Sequence, residues 1–486
     1  MEMSRKRPAL VAVDLGAQSC RVSLLSWNQS WPELHVLHRF LNAPIVTQEG
    51  LRWDIGRIFD GVKHGLRLCA EAAPEGIASV GVDGWAVDYV CLNGDGHAIA
   101  DPFCYRDERT EAAQKEVHQI IPSSRLYALT GIQLLGLNTI YQLYADKLAG
   151  RNSSSPWVNL PEYVTLRLGG QRVAEYTNAT HTQLVTLGRQ EWCSEIFQAI
   201  GLDISAAPKI VSTGSIVGNI SGDLAGLPAF GNTKLIVPAC HDTASAIAAI
   251  PASGEDWGFI SSGTWSLVGT VLTAPCISDA ARQMNFTNLG GAGRSICFLK
   301  NVNGLWLLRQ CMDEWEERGK RVILSELIRE CETLPAPDYV IDIDDPPLTL
   351  PGDIHGKINA QLRRRGQAML SANRRDIPLI ANLIFHSMAQ RYADVLESVA
   401  AVTGKKLKRV FIVGGGSKNT LLNRLTAERT GLEVLLGSTE STTLGNLAIQ
   451  LAVLRENWDK TNGVDASALR QCAEELVDPC FEELRQ

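Results

Sequence analysis

No two cysteines of this chain sit in a Cys-x-x-Cys arrangement, although twelve are present. They fall singly, at Cys20, Cys69, Cys91, Cys104, Cys193 and onward. In a large chain without an export signal, that scatter predicts reduced, mostly buried thiols and excludes a disulfide scaffold. An apolar run long enough to cross a bilayer is also missing. The N-terminal run Ala9-Leu10-Val11-Ala12-Val13 is closed by Asp14, too soon for the core of a secretion signal. The expectation is a cytoplasmic protein with no membrane partner, in which triplets such as Asn178-Ala179-Thr180 carry no weight as glycosylation sites. Positive charge is not in excess either: 46 basic and 53 acidic residues leave a formal charge of -7, and the block Arg5-Lys6-Arg7 is short. Nucleic acid is therefore not an expected partner, because phosphate-backbone affinity needs a concentrated positive surface. A few local donors can still hold a small anion.

What is present is ordinary in bulk, with 45% hydrophobic and 20% charged residues over 486 positions. That length exceeds what one core usually supports, so two domains are expected. Residues 9–14 read as a buried strand, Gly16-Ala17-Gln18-Ser19 as a turn, and 21–25 as a returning strand of alternating polarity. A third strand is expected at 35–40. Ile58, Val62, Leu66 and Cys69 recur at helical spacing within 55–73, and strands follow at 78–83 and 87–92, separated by Gly84. This order implies α/β layers. Near residue 250 a strand, a small-residue turn and a strand recur, 257–260 and 265–271, as a duplicated unit or as an unrelated hairpin. Helices are expected at 379–402, 418–430 and 441–454, strands at 409–413 and 433–436, and hence a largely parallel sheet. The acidic, proline-containing stretch 335–351 reads as an exposed loop. Coiled coils, low-complexity tracts and long linkers are absent.

Five motifs can carry chemistry. Asp14-Leu15-Gly16-Ala17-Gln18-Ser19-Cys20-Arg21 places a carboxylate at a strand end before a tight turn. Backbone amides there can meet phosphate oxygens, Asp14 can hold magnesium directly or through water, and Arg21 can add positive charge; alternatively Asp14 caps an ordinary hairpin. Ser261-Ser262-Gly263-Thr264 offers a second turn open to an anion, or simply closes a hairpin. Val413-Gly414-Gly415-Gly416-Ser417-Lys418 can seat a flat ligand over a helix N-terminus, or is a tight turn with Ser417 as N-cap; it is neither a Walker A nor a Gly-x-Gly-x-x-Gly sequence. Cys240-His241-Asp242-Thr243-Ala244 follows an apolar run, so Asp242 can take a proton from a hydroxyl or cap a helix. His241 has no partner at zinc-ligand spacing. Asp83-Gly84-Trp85-Ala86-Val87-Asp88 combines acids with an aromatic face suited to a sugar, or holds a core Trp beside solvated acids. Strand alternation lets Asp83 and Trp85 share a face, whereas Asp88 needs a bend.

The order of these motifs resembles the FGGY carbohydrate kinases. The strings that carry the resemblance include Val11 to Ala17, Tyr105-Arg106-Asp107, Asn138 to Leu143, Glu175 to Thr180, His241 to Ser245, Ser261 to Leu267, Leu299-Lys300-Asn301, Gly304 to Leu308, and Val413 to Gly416 with Asn419 to Asn423. They span roughly residues 9–455. The resemblance implies a two-domain actin/hexokinase-like (ribonuclease H-like) α/β ATPase fold with an interdomain cleft. Residues 1–248 would hold the sugar site, the first phosphate hairpin and the catalytic acid. Residues 249–456 would hold the second phosphate hairpin and the adenosine site, with 457–486 as a packed tail. It further implies ATP and Mg²⁺, with Asp242 as proton acceptor and Asp14 toward the metal. His241, Thr243 and Asn301, with Asp83, Trp85 and Ala86, would meet the sugar. Ala17, Gln18, Ser19, Cys20, Arg21 and Thr264 would face the ATP phosphates, and Gly415 the adenosine. The expected substrate is a ketose, L-rhamnulose first, with L-fuculose or xylulose as alternatives; an actin-like ATPase or a sugar-binding regulator is the reading from another class. The oligomeric state is left open, a monomer being compatible. Three positions depart from the family pattern. Cys20 replaces a Gly of the hairpin, Gly84 and Ala86 replace Thr and Gly of the sugar strand, and Arg309 stands where an ATP-contacting Gln is expected.

Overall fold

The computed structural model describes residues 7–29, 31–151, 154–455, 458–459 and 463–481. Arg5 and Lys6 of the basic block lie outside the described residues, as does the part of the expected 457–486 tail not included in these ranges. By its internal contacts the chain forms two compact units. One gathers the chain up to Pro251 with Leu272–Cys297 and Ser441–Pro479, the other Ala252–Val271 with Phe298–Glu440.

In the first unit, β1 (Ala9–Leu15), β2 (Ser19–Asn28) and β3 (Trp31–Leu41) run as an antiparallel meander. Helix α1 (Ile55–Ala72) then crosses over to β4 (Ile77–Gly84), which lies parallel to β1. The short helix α2 (Tyr176–His181) precedes β5 (Ile216–Asn219), β6 (Lys234–Ile236) and helix α3 (Asp242–Ala248). The sheet order is β5-β6-β4-β1-β2-β3. Strand β1 is central, covered on both faces, and fully buried. This is why its sequence is an unbroken apolar run ending in a single acid. Helix α1 buries Ile55, Ile58, Val62, Leu66 and Cys69, the face its spacing predicts, and Asp54 caps it by accepting from the Arg57 amide at 2.8 Å. Gly65 lets α1 approach β2, since a Cβ there would lie 2.5 Å from Val22.

The second unit repeats the plan. It contains β7 (Trp257–Ser262), β8 (Trp265–Leu272), β9 (Ile296–Asn303), the long helix α4 (Ile377–Thr403), β10 (Arg409–Val413), α5 (Thr420–Thr430) and β11 (Glu433–Leu436). β7 pairs antiparallel with β8 and parallel with β10, and β10 is parallel with β11. In the first unit, β1 likewise pairs antiparallel with β2 and parallel with β4, which is parallel with β6. The duplication hinted at by sequence is thus a duplication of strand order.

Three local expectations need correction. The sheets are mixed rather than largely parallel, because each begins with a hairpin. The cap of α5 is Asn419, which accepts from the Leu422 amide at 3.0 Å, while Ser417 turns back to the Gly414 carbonyl across the 3₁₀ turn Gly415–Lys418. The 335–351 stretch is not simply exposed. Ile341, Ile343 and Leu348 are buried, and Asn303 donates to the carbonyls of Ile343 and Leu348.

After β11 the chain returns to the first unit as helix α6 (Ser441–Leu454). It lies against α3 so closely that a Cβ on Gly445 would meet the Ser245 carbonyl oxygen at 1.7 Å. Gln450 of α6 donates to the Val11 carbonyl at 3.0 Å and accepts from Ser79 at 2.6 Å. Compact units therefore do not follow a single boundary near residue 249. Eleven cysteines, from Cys20 to Cys472, stand outside any disulfide, and all but Cys91 and Cys276 are buried; among the described residues no helix is long and apolar enough to cross a membrane.

Candidate active site

Parallel pairing aligns two acids at adjacent strand ends: Asp14 of β1 lies opposite Asp83 of β4 in register. One step on, the Trp85 amide donates to the Leu15 carbonyl at 3.1 Å, and the Gly84 amide to the Cys240 carbonyl at 3.0 Å. The latter contact brings the His241-Asp242 peptide alongside β4, where Gly84 and His241 form a parallel bridge. Three carboxylates so far apart in sequence are thus gathered by backbone hydrogen bonding.

They are not equivalent. Asp83 is fully enclosed; its Oδ2 accepts from Asn446 Nδ2 of α6 at 2.6 Å, and Oδ1 has no hydrogen-bond partner among the described residues. Burial, reinforced by Asp14 and Asp242, raises its pKa well above the usual range, with Asn446 and Arg21 opposing. Asp14 forms an ion pair with Arg21, Oδ2 to Nε 3.0 Å. Asp242 begins α3 and keeps a third of its side chain open to solvent (33%). Loss of water, then repulsion from Asp14, raises its pKa to about 7 against the pull of Thr243 and Arg21. A partly accessible carboxylate half-ionised near neutrality suits a general base.

His241 and His181 are buried with His241 Nδ1 3.2 Å from His181 Nε2, and His241 Nε2 lies 3.4 Å from Asp242 Oδ1. Burial first, then the neighbouring imidazole, drives the pKa of His241 well below its usual value, and burial lowers that of His181 to about 3. Both rings are neutral at physiological pH. The His241–Asp242 contact is accordingly not an ion pair.

The expected phosphate hairpin is the β1–β2 turn. Gln18 is its exposed tip, Ala17 and Ser19 are half-buried, and Asn42 fixes it by donating to the Gly16 carbonyl at 3.1 Å. Gly16 is required there, since a Cβ would lie 2.5 Å from the Ser19 carbonyl oxygen. Cys20 points into the core, its thiol raised to about 12 by burial, so its side chain occupies the interior and not the turn surface. Beyond β4 the backbone bends, with Val87 at φ 71°, and Asp88 turns inward as the sequence required. Its Oδ2 accepts from the indoles of Trp53 (2.6 Å) and Trp85 (2.9 Å), its Oδ1 from Gln142 (3.1 Å). Trp85 therefore packs inside, its ring tilted by 47° to that of Trp53 with centroids 4.6 Å apart, and Ala86 and Thr243 are buried too. In the second unit, Thr264 closes the β7–β8 turn, with its carbonyl accepting from Trp306 at 3.3 Å. Gly415 follows β10 with open space at its Cβ, and Asn301 lies on β9.

Sequence reading missed His181, Asn446 and Glu175. Glu175 is buried and accepts from the Cys240 amide at 2.9 Å, from Thr177 Oγ1 at 2.6 Å and from Thr213 Oγ1 at 2.5 Å, which anchors the peptide entering α3. It belongs to the matched string Glu175 to Thr180, the one signal that could have pointed to it; Asn446 carries no such mark.

With this arrangement, comparison with known proteins is decisive. Residues 9–249 match the N-terminal domain, and residues 258–454 the C-terminal domain, of the FGGY family of carbohydrate kinases. The chain belongs to that family. It is 35% identical over 453 residues to a rhamnulokinase of Bacteroides thetaiotaomicron, covering 92% of this chain and 91% of the relative. It is 38% identical to a rhamnulokinase of Enterobacter sp. (strain 638), covering 92% and 89%. Among solved structures, a ligand-bound xylulose kinase of Lactobacillus acidophilus superposes with TM-score 0.75 at 16% identity over 99% of this chain and 98% of its own. A Plasmodium falciparum glycerol kinase with ADP gives 0.70 at 13%, covering 99% and 98%. The fold is the two-domain α/β fold of these kinases, and the chain is a carbohydrate kinase.

Proposed function

We propose that the chain transfers the γ-phosphoryl group of ATP to the C1 hydroxyl of L-rhamnulose, giving L-rhamnulose 1-phosphate and ADP. The observation that carries the chemistry is Asp242, the carboxylate of the Asp14–Asp83–Asp242 group that combines solvent access with a pKa raised to about 7. The sugar is inferred from the two rhamnulokinases that match nearly the whole chain. Asp242 takes the hydroxyl proton as the O1–phosphorus bond forms and the bond to the β,γ-bridging oxygen breaks. Amides of the Ala17–Arg21 hairpin and the Arg21 guanidinium offset charge on the phosphates. Ala86, His241 and Thr243 are proposed to border the sugar, with Asp83 and Trp85 enclosed behind them. Thr264 and Gly415 remain proposed nucleotide contacts and Asn301 a proposed sugar contact, each testable by substitution. A cytoplasmic location is proposed for an enzyme that consumes ATP.

Among the described residues no three His, Cys, Asp or Glu side chains converge as a metal cage. Magnesium keeps its waters and arrives on nucleotide phosphates, so it would need only one or two carboxylates, and Asp14 at the end of β1 would be one. When bound, it would neutralise phosphate charge.

Asp242→Asn is expected to lower kcat by about 10²–10⁴-fold while ATP still binds. An active Asn variant removes Asp242 from the reaction. ADP release against a panel of ketoses, with a control lacking sugar, tests the substrate. Gly84 and Ala86, where the family pattern differs, make L-fuculose and xylulose the necessary comparisons.

A further inference from the structure

Besides its pairing with β4, the segment that delivers Asp242 is held by α2 and its cap. Glu175 accepts from the Cys240 amide at 2.9 Å, Thr177 Oγ1 from the His241 amide at 3.4 Å, and His181, the last residue of α2, meets the His241 ring. These contacts define the hydrogen-bond state of the base. Asp242 Oδ1 already accepts from the Thr243 amide (2.5 Å) and Thr243 Oγ1 (3.2 Å), and it faces His241 Nε2 at 3.4 Å. No donor among the described residues reaches Oδ2.

The tautomers follow by elimination. When Asp242 is ionised, the state in which it acts as base, its Oδ1 favours a donor over a lone pair at 3.4 Å, so His241 Nε2 carries the proton. His241 is buried and neutral, so its Nδ1 is then a bare acceptor. The atom 3.2 Å from it, His181 Nε2, must be the donor. The opposite arrangement would set the lone pair of His241 Nε2 against the anionic oxygen, an electrostatic repulsion.

We propose that His181 is a positioning residue for the kinase reaction: it donates Nε2–H to His241 Nδ1, so that His241 presents Nε2–H to Asp242 Oδ1 and leaves Oδ2 as the oxygen that accepts the substrate proton. The imidazole pair acts on orientation and touches neither phosphate nor the reacting oxygen. The role in turnover rests on Asp242 being the base, whereas the tautomers are properties of the substrate-free protein and can be read without any turnover.

The experiment combines spectroscopy with rescue. In the full chain labelled with ¹⁵N-histidine, His241 is expected in the neutral Nε2–H form across neutral pH, with its Nδ1 shift displaced by the bond from His181. His181→Leu should abolish that displacement and lower kcat about tenfold, the worth of one buried hydrogen bond, with KM for ATP unchanged. His181→Gln, whose amide nitrogen can occupy the Nε2 position, should recover most of kcat and the Nε2–H form. An Nδ1–H tautomer at His241 in the unmodified protein overturns the proposal, as does a Gln variant no more active than the Leu variant. Should the Leu variant fail to fold, the spectrum of the unmodified protein and the Gln variant decide the matter. If instead Asp242 proves not to be the base, the expected tautomers persist while the kcat effects vanish.

Discussion

At the scale of single residues, environment separates groups that composition makes identical. Asp242 must be ionised to accept a proton, so with its pKa raised to about 7 activity should rise with pH through neutrality and level off above it. A kcat profile already flat from about pH 5 would show that burial does not govern this group. Asp88 reports on stability instead. Burial raises its pKa to about 6, above its ordinary value, so folding takes up a proton; the resulting stabilisation is complete in acid and is lost as pH climbs through 6. Asp88→Asn turns an amide toward the donors of Trp53, Trp85, Gln142 and Tyr105, and should cost about 1–3 kcal/mol. Its deficit relative to the parent should shrink from acid to neutral pH in denaturant titrations, with altered tryptophan emission. Asp242 and His241 could be singled out because they come shortly after the apolar run Leu235-Ile236-Val237 and lie in a string shared with the family. His181 and Asn446 were not, because they lie 60 residues from His241 and 363 from Asp83, and only folding brings them there.

Elements were read best where one face alone decides them. The spacing of Ile58, Val62, Leu66 and Cys69 located α1, and the unbroken apolar run located β1. Strand direction was harder, because an apolar run looks alike in parallel and antiparallel neighbours; the hairpins of both sheets were seen, but their mixed character was not. Residues 335–351 misled for a related reason. Their acids and prolines advertise solvent, whereas Ile341, Ile343 and Leu348 are tucked in behind Asn303, a long-range contact without local pattern. The junction of α6 with α3 gives the most direct test at this scale. Gly445→Ala places a methyl group 1.7 Å from the Ser245 carbonyl oxygen, so the helices must separate. The expected loss is about 1–3 kcal/mol or more in urea unfolding, accompanied by reduced kcat because α3 carries Asp242. Gly226→Ala, with nothing within 4 Å of its Cβ, serves as the control and should be near neutral.

For the whole molecule, the repeated strand order and the two matched family domains tell the same story, but the compact units cut across the chain. Asp14, Asp83 and Asp242 all belong to the first unit, and so does α6, encoded after nearly the entire second unit. A polypeptide ending at Pro251 would carry every acid of the site and neither Asn446 nor Gln450. It should be insoluble or molten, as judged by proteolysis and near-ultraviolet dichroism, while joining Leu272–Cys297 and Ser441–Pro479 to it should restore a cooperative transition. The same arrangement sets a timetable during synthesis. On the ribosome the carboxyl of Asp83 emerges early and waits, without the amide that will satisfy it, until Asn446, 363 residues later, has been translated. Competence for catalysis therefore arrives late and all at once, and a chain stalled partway offers chaperones and proteases an unfinished core rather than a working half-enzyme.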